Sequence, residues 1–224
     1  TEGFVFNLLN NEDLTIIKKV KEKGKYFLKN STWALGIVTG DNKNKLFAQP
    51  QNGMEKIYTG KDIKEYVLEP AKKYILYNRN TLQQVAKDEI YRAPEKLVYK
   101  FISKKLTFAY DDTGSLFLNS ANILIPVIPQ MSVKTVMAFL NSVLFKYVYI
   151  KLFGEVKVLK GNLNELPFPK ISSEEDLFIS GLVDKIIAGD KNVEESIDRY
   201  ILSLYAFNDE QIIYIRSVVN GKAD

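Results

Sequence analysis

KLVYKFI (residues 96–102), LTFAY (106–110) and ANILIPV (121–127) are short apolar runs rich in β-branched and aromatic residues. A lysine-bearing loop and the turn sequence Asp111-Asp112-Thr113-Gly114 separate them. Runs of this length and composition, bounded by turn residues, predict strands. Asp-Thr-Gly chemistry predicts a hairpin from 106–110 into 115–118. From Ser132 the period changes, with Val136, Phe139, Leu140, Val143, Leu144 and Tyr147 recurring at three and four, which predicts one long helix fading near Gly154. Strands followed by helices place the chain in the α+β class, built on a mixed β-sheet.

Toward the N-terminus, Asn10 or Asn11 is placed to cap a helix that carries Glu12 and Asp13 in its first turn and Gly24 at its end. Residues 33–38 read as a strand, 39–45 as a turn-rich loop and 46–48 as a returning strand. A helical turn is expected at 61–66, a strand at 73–77 and weak helix at 81–90. Toward the C-terminus, 156–159 reads as a last strand, and Leu166-Pro167-Phe168-Pro169 is a stiff connector unsuited to a helix or central strand. Beyond it, Ser172 with Glu175, Asn192 with Glu195, and Asn208 with Gln211 mark three helix starts. The organisation expected is a body over 1–170 and a small acidic helical appendage over 171–224.

The chain has 224 residues, of which 46% are hydrophobic and 26% charged, enough for one sizeable core. Lys134, Asn141, Lys146 and Lys151 interrupt the longest apolar stretch, 133–153, so a buried helix is expected rather than a membrane span. No signal peptide is read at the start, and a first residue of Thr1 fits a piece of something longer. Without Cys or His, thiolate metal sites, His-containing triads and zincin-type sites are excluded for these residues, and a cytoplasmic setting is expected. Charge divides unevenly. Residues 1–170 hold 26 basic against 16 acidic side chains, and 171–224 hold 5 against 11. A polyanion-facing body with a differently directed tail accounts for that division.

No phosphate-cradling glycine loop is present, and Gly36 and Gly40 read as close packing and a turn. Nor is there an Asn-Pro-Pro-Tyr motif, so methyl transfer is not encoded here. Glu155 and Lys157, with Asp111 or Asp112, form at most a weak nuclease pattern, because a preceding Pro-Asp element is missing. Basic residues interleaved with amides are more informative. Asn42, Lys43, Asn44 and Lys45 share one loop, Arg79 and Asn80 follow Tyr77, and Arg92 follows Tyr91. Such sets suit DNA, although asparagine in loops is also ordinary turn chemistry.

Taken in order, several segments resemble the TaqI-like C-terminal specificity domain of adenine-specific DNA methyltransferases. They are Leu35-Gly-Ile-Val-Thr-Gly-Asp-Asn-Lys43, Ile57-Tyr-Thr-Gly-Lys-Asp-Ile63, Tyr91-Arg-Ala-Pro-Glu-Lys-Leu97, Leu106-Thr-Phe-Ala-Tyr-Asp111, Phe139-Leu-Asn-Ser142 and Leu166-Pro-Phe-Pro169. The closing helices are similar too, although Ala206-Phe207 stands where the family usually has Gly-Leu. The resemblance implies a target-recognition domain that reads double-stranded DNA. It implies that an upstream methyltransferase domain of the same polypeptide binds S-adenosylmethionine and methylates a flipped adenine. No catalytic residue, metal or cofactor is expected in the chain itself. The expected DNA-facing set is Asn42, Lys43, Asn44, Lys45, Arg79, Asn80, Arg92, Lys96, Lys100, Lys104 and Lys105. Lysines would neutralise phosphates, and Arg79, Arg92, Asn44 and Asn80 would reach base edges. Two alternatives stay open: a stand-alone specificity subunit of the type I kind, and a protein-interaction module whose basic surface is incidental.

Overall fold

A computed structural model describes residues 9–154 and 157–221. In chain order the helices are α1 (Asn11–Lys23), α2 (Asn42–Lys45), α3 (Asp88–Tyr91), α4 (Val133–Asn141), α5 (Val143–Phe153), α6 (Lys160–Leu163), α7 (Ser173–Ile187), α8 (Glu194–Ser203) and α9 (Asp209–Val219). The strands are β1 (Gly24–Tyr26), β2 (Thr32–Leu35), β3 (Glu55–Tyr58), β4 (Lys73–Ile75), β5 (Lys96–Lys100), β6 (Phe108–Asp111), β7 (Leu116–Phe117), β8 (Ala121–Ile125) and β9 (Phe168–Pro169).

The main sheet is antiparallel, in the order β2-β8-β5-β6. Side chains alternate across it because the strand period is two. Leu97, Tyr99, Phe108 and Leu124 face one way, onto α4, α5 and the C-terminal helices. Val98, Ala109 and Ile123 face the other way, onto a smaller sheet ordered β4-β3-β7. That smaller sheet is mixed, since β3 pairs antiparallel with β4 and parallel with β7. The α+β class with a mixed sheet holds. The expected hairpin does not form, because Leu116 and Phe117 are claimed by β3 instead of β6. Asp111 accounts for the departure: its carboxylate accepts from the Thr113 hydroxyl at 2.6 Å and the Ser115 amide at 3.1 Å, turning the chain out of the main sheet.

The expected long helix is two helices, bent by 61° at Ser142. Ser142 is extended, and its hydroxyl donates to the Phe139 carbonyl at 2.7 Å and accepts from the Phe145 amide at 3.2 Å. One side chain thus ends α4 and caps α5. Its neighbour Asn141 is buried, accepting from the Phe108 amide and donating to the Phe108 carbonyl, both at 2.9 Å. A side-chain amide here stands in for a neighbouring strand along part of β6, which gives the Phe139-Leu-Asn-Ser142 motif its physical content. The other polar residues of the stretch are likewise partnered: Lys134 with Asp184 at 2.7 Å, Lys146 with Glu65 at 2.7 Å, and Lys151 with Asp13 at 3.0 Å. Among the described residues, no single helix is long and apolar enough to cross a membrane.

Capping boxes form at Asn10, Ser172 and Asn208. The box expected at Asn192 does not form, because a 3₁₀ turn at Lys191–Val193 leads into α8 and leaves Val193 as the cap. The return strand expected at 46–48 reduces to one bridge between Phe47 and Tyr74. Of the strand expected at 156–159, residue 156 lies outside the described residues, and Lys157 makes one bridge to Ile102. Ala206 has φ 50°, a left-handed conformation that suits glycine better than alanine.

The larger hydrophobic cluster draws on residues either side of position 170, from Ile16 and Leu97 to Ile197 and Ile215. Within it, Asp198 on α8 accepts from the Val143 amide at 2.8 Å. Burial raises its carboxyl to about 6, against the lowering pull of that amide and of Lys146. An acid raised on folding binds its proton more tightly in the native state, so stability declines as pH rises from about 4 through 6. Asp198→Asn, which keeps the acceptor, is expected to gain on the order of 1–2 kcal/mol at pH 7.5. Urea unfolding at pH 7.5 and 4.5 checks this, and an equal effect at both values would exclude the assignment.

Candidate nucleic-acid interface

Two glycines, Gly36 after β2 of the main sheet and Gly60 after β3 of the small one, let both sheets approach the loop 118–120. A Cβ on Gly36 would lie 2.2 Å from the Leu118 carbonyl oxygen, and one on Gly60 would lie 2.5 Å from that of Ser120. Neither position admits a side chain without moving backbone. The loop is held on several sides. Leu118 donates to the Tyr58 carbonyl at 2.8 Å, Asn119 to that of Ile37 at 3.1 Å, and Gly60 donates its amide to Ser120 Oγ at 2.9 Å.

Around this floor opens a cleft of about 740 Å³. It is lined by Asn42, Thr59, Lys61, Lys73, Lys100 and Ile102, with Asn119 and Ser120. Among the described residues, no carboxylate lines it. Asp62, next to Lys61, is buried and accepts from the Thr59 amide at 2.7 Å and the Thr59 hydroxyl at 2.8 Å. Among the described residues, Lys61, Lys73 and Lys100 have no acidic partner. Three lysines therefore line one concavity with no ion-pair partner among the described residues, which raises the local potential and attracts polyanions.

Of the residues expected from sequence, the cleft gathers Asn42 and Lys100. Lys43 is exposed on α2, and Lys104 and Lys105 are exposed on the loop leaving β5. Asn44 turns back to Asp41, donating to Oδ2 at 2.7 Å. Lys45 is engaged as well, donating to the Thr39 carbonyl at 2.7 Å and to that of Thr81. Asn80 is exposed beside Arg79. Arg79 donates to Asp88 at 2.5 Å and to the Ala86 carbonyl at 2.7 Å. Arg92 donates to Glu55 at 2.7 Å and to the Gly114 carbonyl at 2.8 Å.

Lys96 requires correction, because it has no surface to offer DNA. Its side chain is fully buried, and its ammonium donates to Asp111 and, at 2.7 Å, to the Tyr91 carbonyl. Burial presses the Lys96 ammonium below its ordinary pKa, and contact with Asp111 opposes that. Burial likewise works against the charge on Asp111, but Lys96 and Thr113 outweigh it and hold the carboxyl low. The pair joins the Tyr91–Leu97 and Leu106–Asp111 motifs internally. Glu155 of the weak nuclease pattern lies outside the described residues. Among the described residues, no group of three His, Cys, Asp or Glu is placed to hold a metal ion.

Sequence reasoning missed Lys61, Lys73, Thr59, Asn119 and Ser120. Lys61 follows the close-approach Gly60, which is the one local signal available. The rest come together only by long-range pairing.

A family model for the TaqI-like C-terminal specificity domain matches residues 55–168. No curated protein matches the chain. Among solved structures, the fold superposes on the type IIL restriction–modification enzyme MmeI, solved in complex with DNA. The TM-score is 0.56 at 10% identity, over 88% of this chain and 36% of that one. A type I restriction–modification assembly gives 0.45 at 11% identity, over 95% of this chain and 51% of that one. The HsdS subunit from Thermoanaerobacter tengcongensis gives 0.41 at 12% identity, over 95% and 50%. The chain therefore spans between about a third and a half of the length of these proteins. The matched segment contains the small sheet, the buried Lys96–Asp111 pair and the cleft's lysines, and it covers just over half of the sequence, so the chain belongs to the TaqI-like C-terminal specificity domain family.

Proposed function

We propose that this chain selects the target sequence on double-stranded DNA for an adenine-specific DNA methyltransferase of a restriction–modification system. The observation that carries the reading is a cleft lined by Lys61, Lys73 and Lys100, with no carboxylate lining it and no ion pair to these lysines among the described residues, in a chain of this family. Lysines supply affinity for phosphate that is blind to sequence and sensitive to salt. Asn42, Asn119 and Ser120 bring amide and hydroxyl side chains to the same concavity, where base edges are read by hydrogen bonds, while the Thr59 hydroxyl is held by Asp62. Arg79 and Arg92 are candidates for base contact as well, because their ion pairs with Asp88 and Glu55 are solvent-exposed and screened, and so are readily exchanged for DNA. S-adenosylmethionine binding and methyl transfer belong to a catalytic domain elsewhere in the same polypeptide, acting in the cytoplasm. The test is fluorescence anisotropy with labelled duplexes at 50 and 200 mM salt. Binding that weakens steeply with salt, and more weakly for random than for pool-selected duplexes, supports the reading. Binding indifferent to salt, or none at all, defeats it.

A further inference from the structure

We infer that Ile102 is a specificity-determining residue that packs against the 5-methyl group of a thymine in the major groove; this rests on the DNA reading of the cleft. Ile102 lines the cleft and is 64% exposed, an unfavourable state for a β-branched hydrophobe in water. Single exposed hydrophobes are common on protein surfaces and by themselves carry no message. Ile102 differs in two respects.

Its backbone is held from both sides. Ile102 bridges to Lys157, and the adjacent Phe101 accepts from the Val158 amide at 2.8 Å and donates to the Ser120 carbonyl at 3.3 Å. A side chain on so supported a position presents a fixed apolar surface. Its surroundings are also cationic. Lys61, Lys73 and Lys100 share the cleft with it, and Lys104, Lys105 and Lys157 are exposed nearby along the chain or across the bridge. Such a setting attracts a polyanion and repels a basic partner, and the apolar group a duplex offers along its major groove is the thymine methyl. Lysines gripping the phosphates on either side would press the isoleucine against the base edges.

Binding-site selection from a randomised duplex pool, with the wild-type chain, Ile102→Ala and Ile102→Val, tests this. The wild type is expected to select thymine at one fixed position, Ile102→Val to keep that preference, and Ile102→Ala to lose it there and nowhere else. Deoxyuridine in place of that thymine should weaken wild-type binding about 3- to 10-fold, the worth of one buried methyl contact, and leave Ile102→Ala unaffected. An unchanged selected sequence for Ile102→Ala, or a deoxyuridine effect of equal size in both proteins, overturns the inference while leaving DNA recognition intact. Wild-type protein that selects no sequence overturns both. Equal melting temperatures for the three proteins would show that loss of fold is not being measured.

Discussion

Replacing Lys96 with methionine is expected to destabilise the fold by about 3–5 kcal/mol, because it strands the buried Asp111 carboxylate without its cation. Both side chains are essentially inaccessible, so water cannot take the ammonium's place. A chain of this size should lose roughly 10 °C or more in melting temperature. The partner variant separates a stranded charge from a simple loss of packing. Lys96→Met with Asp111→Asn removes both charges, and the asparagine oxygen still accepts from Thr113 and Ser115. The double variant is expected to be more stable than Lys96→Met alone. Its salt dependence of DNA binding should equal that of the wild type, since Lys96 does not reach the surface. Thermal and urea unfolding supply the first comparison, and anisotropy titrations the second. A single variant that melts within 2 °C of the wild type would contradict the buried pair.

The second large effect concerns the cleft. Changing Lys61, Lys73 and Lys100 together to alanine should lower affinity for any duplex by about 10²- to 10³-fold at 0.1 M salt. Each neutralised phosphate contributes close to one decade there through counterion release, so the slope of log affinity against log salt should become shallower by about 2.7. Lys61 and Lys73 are exposed, Lys100 is only partly buried, and none is ion-paired among the described residues, so the melting temperature should hardly move. Lys104→Ala with Lys105→Ala, on the neighbouring loop, provides a graded comparison. If the triple variant keeps the wild-type salt slope, the cleft is not where phosphates lie.

Read along the chain, the apolar runs at 96–100 and 121–125 and the caps at Asn10, Ser172 and Asn208 were legible because strand alternation and helix capping act over two to four residues. The family resemblance was legible for a related reason: its motifs carry the Lys96–Asp111 pair, the Asn141 amide bonded to β6 and the double cap at Ser142, each demanding particular side chains. Partner choice between strands was not legible. Asp111-Asp112-Thr113-Gly114 has the composition of a hairpin turn, yet Leu116 and Phe117 pair with β3, far back in the chain.

The amino-acid sequence by itself determined the α+β class, the basic excess over 1–170 against the acidic excess over 171–224, and the lack of cysteine and histidine among these residues, since these follow from local periodicity and from composition. Only the tertiary structure decided which cations are free. Lys96 and Lys100 lie four residues apart on one strand; the first is sealed in the core against Asp111 and the second opens into the cleft with Lys61 and Lys73. A lysine's availability depends on the carboxylates and apolar surface that distant strands bring beside it, and that information is not present at the position itself.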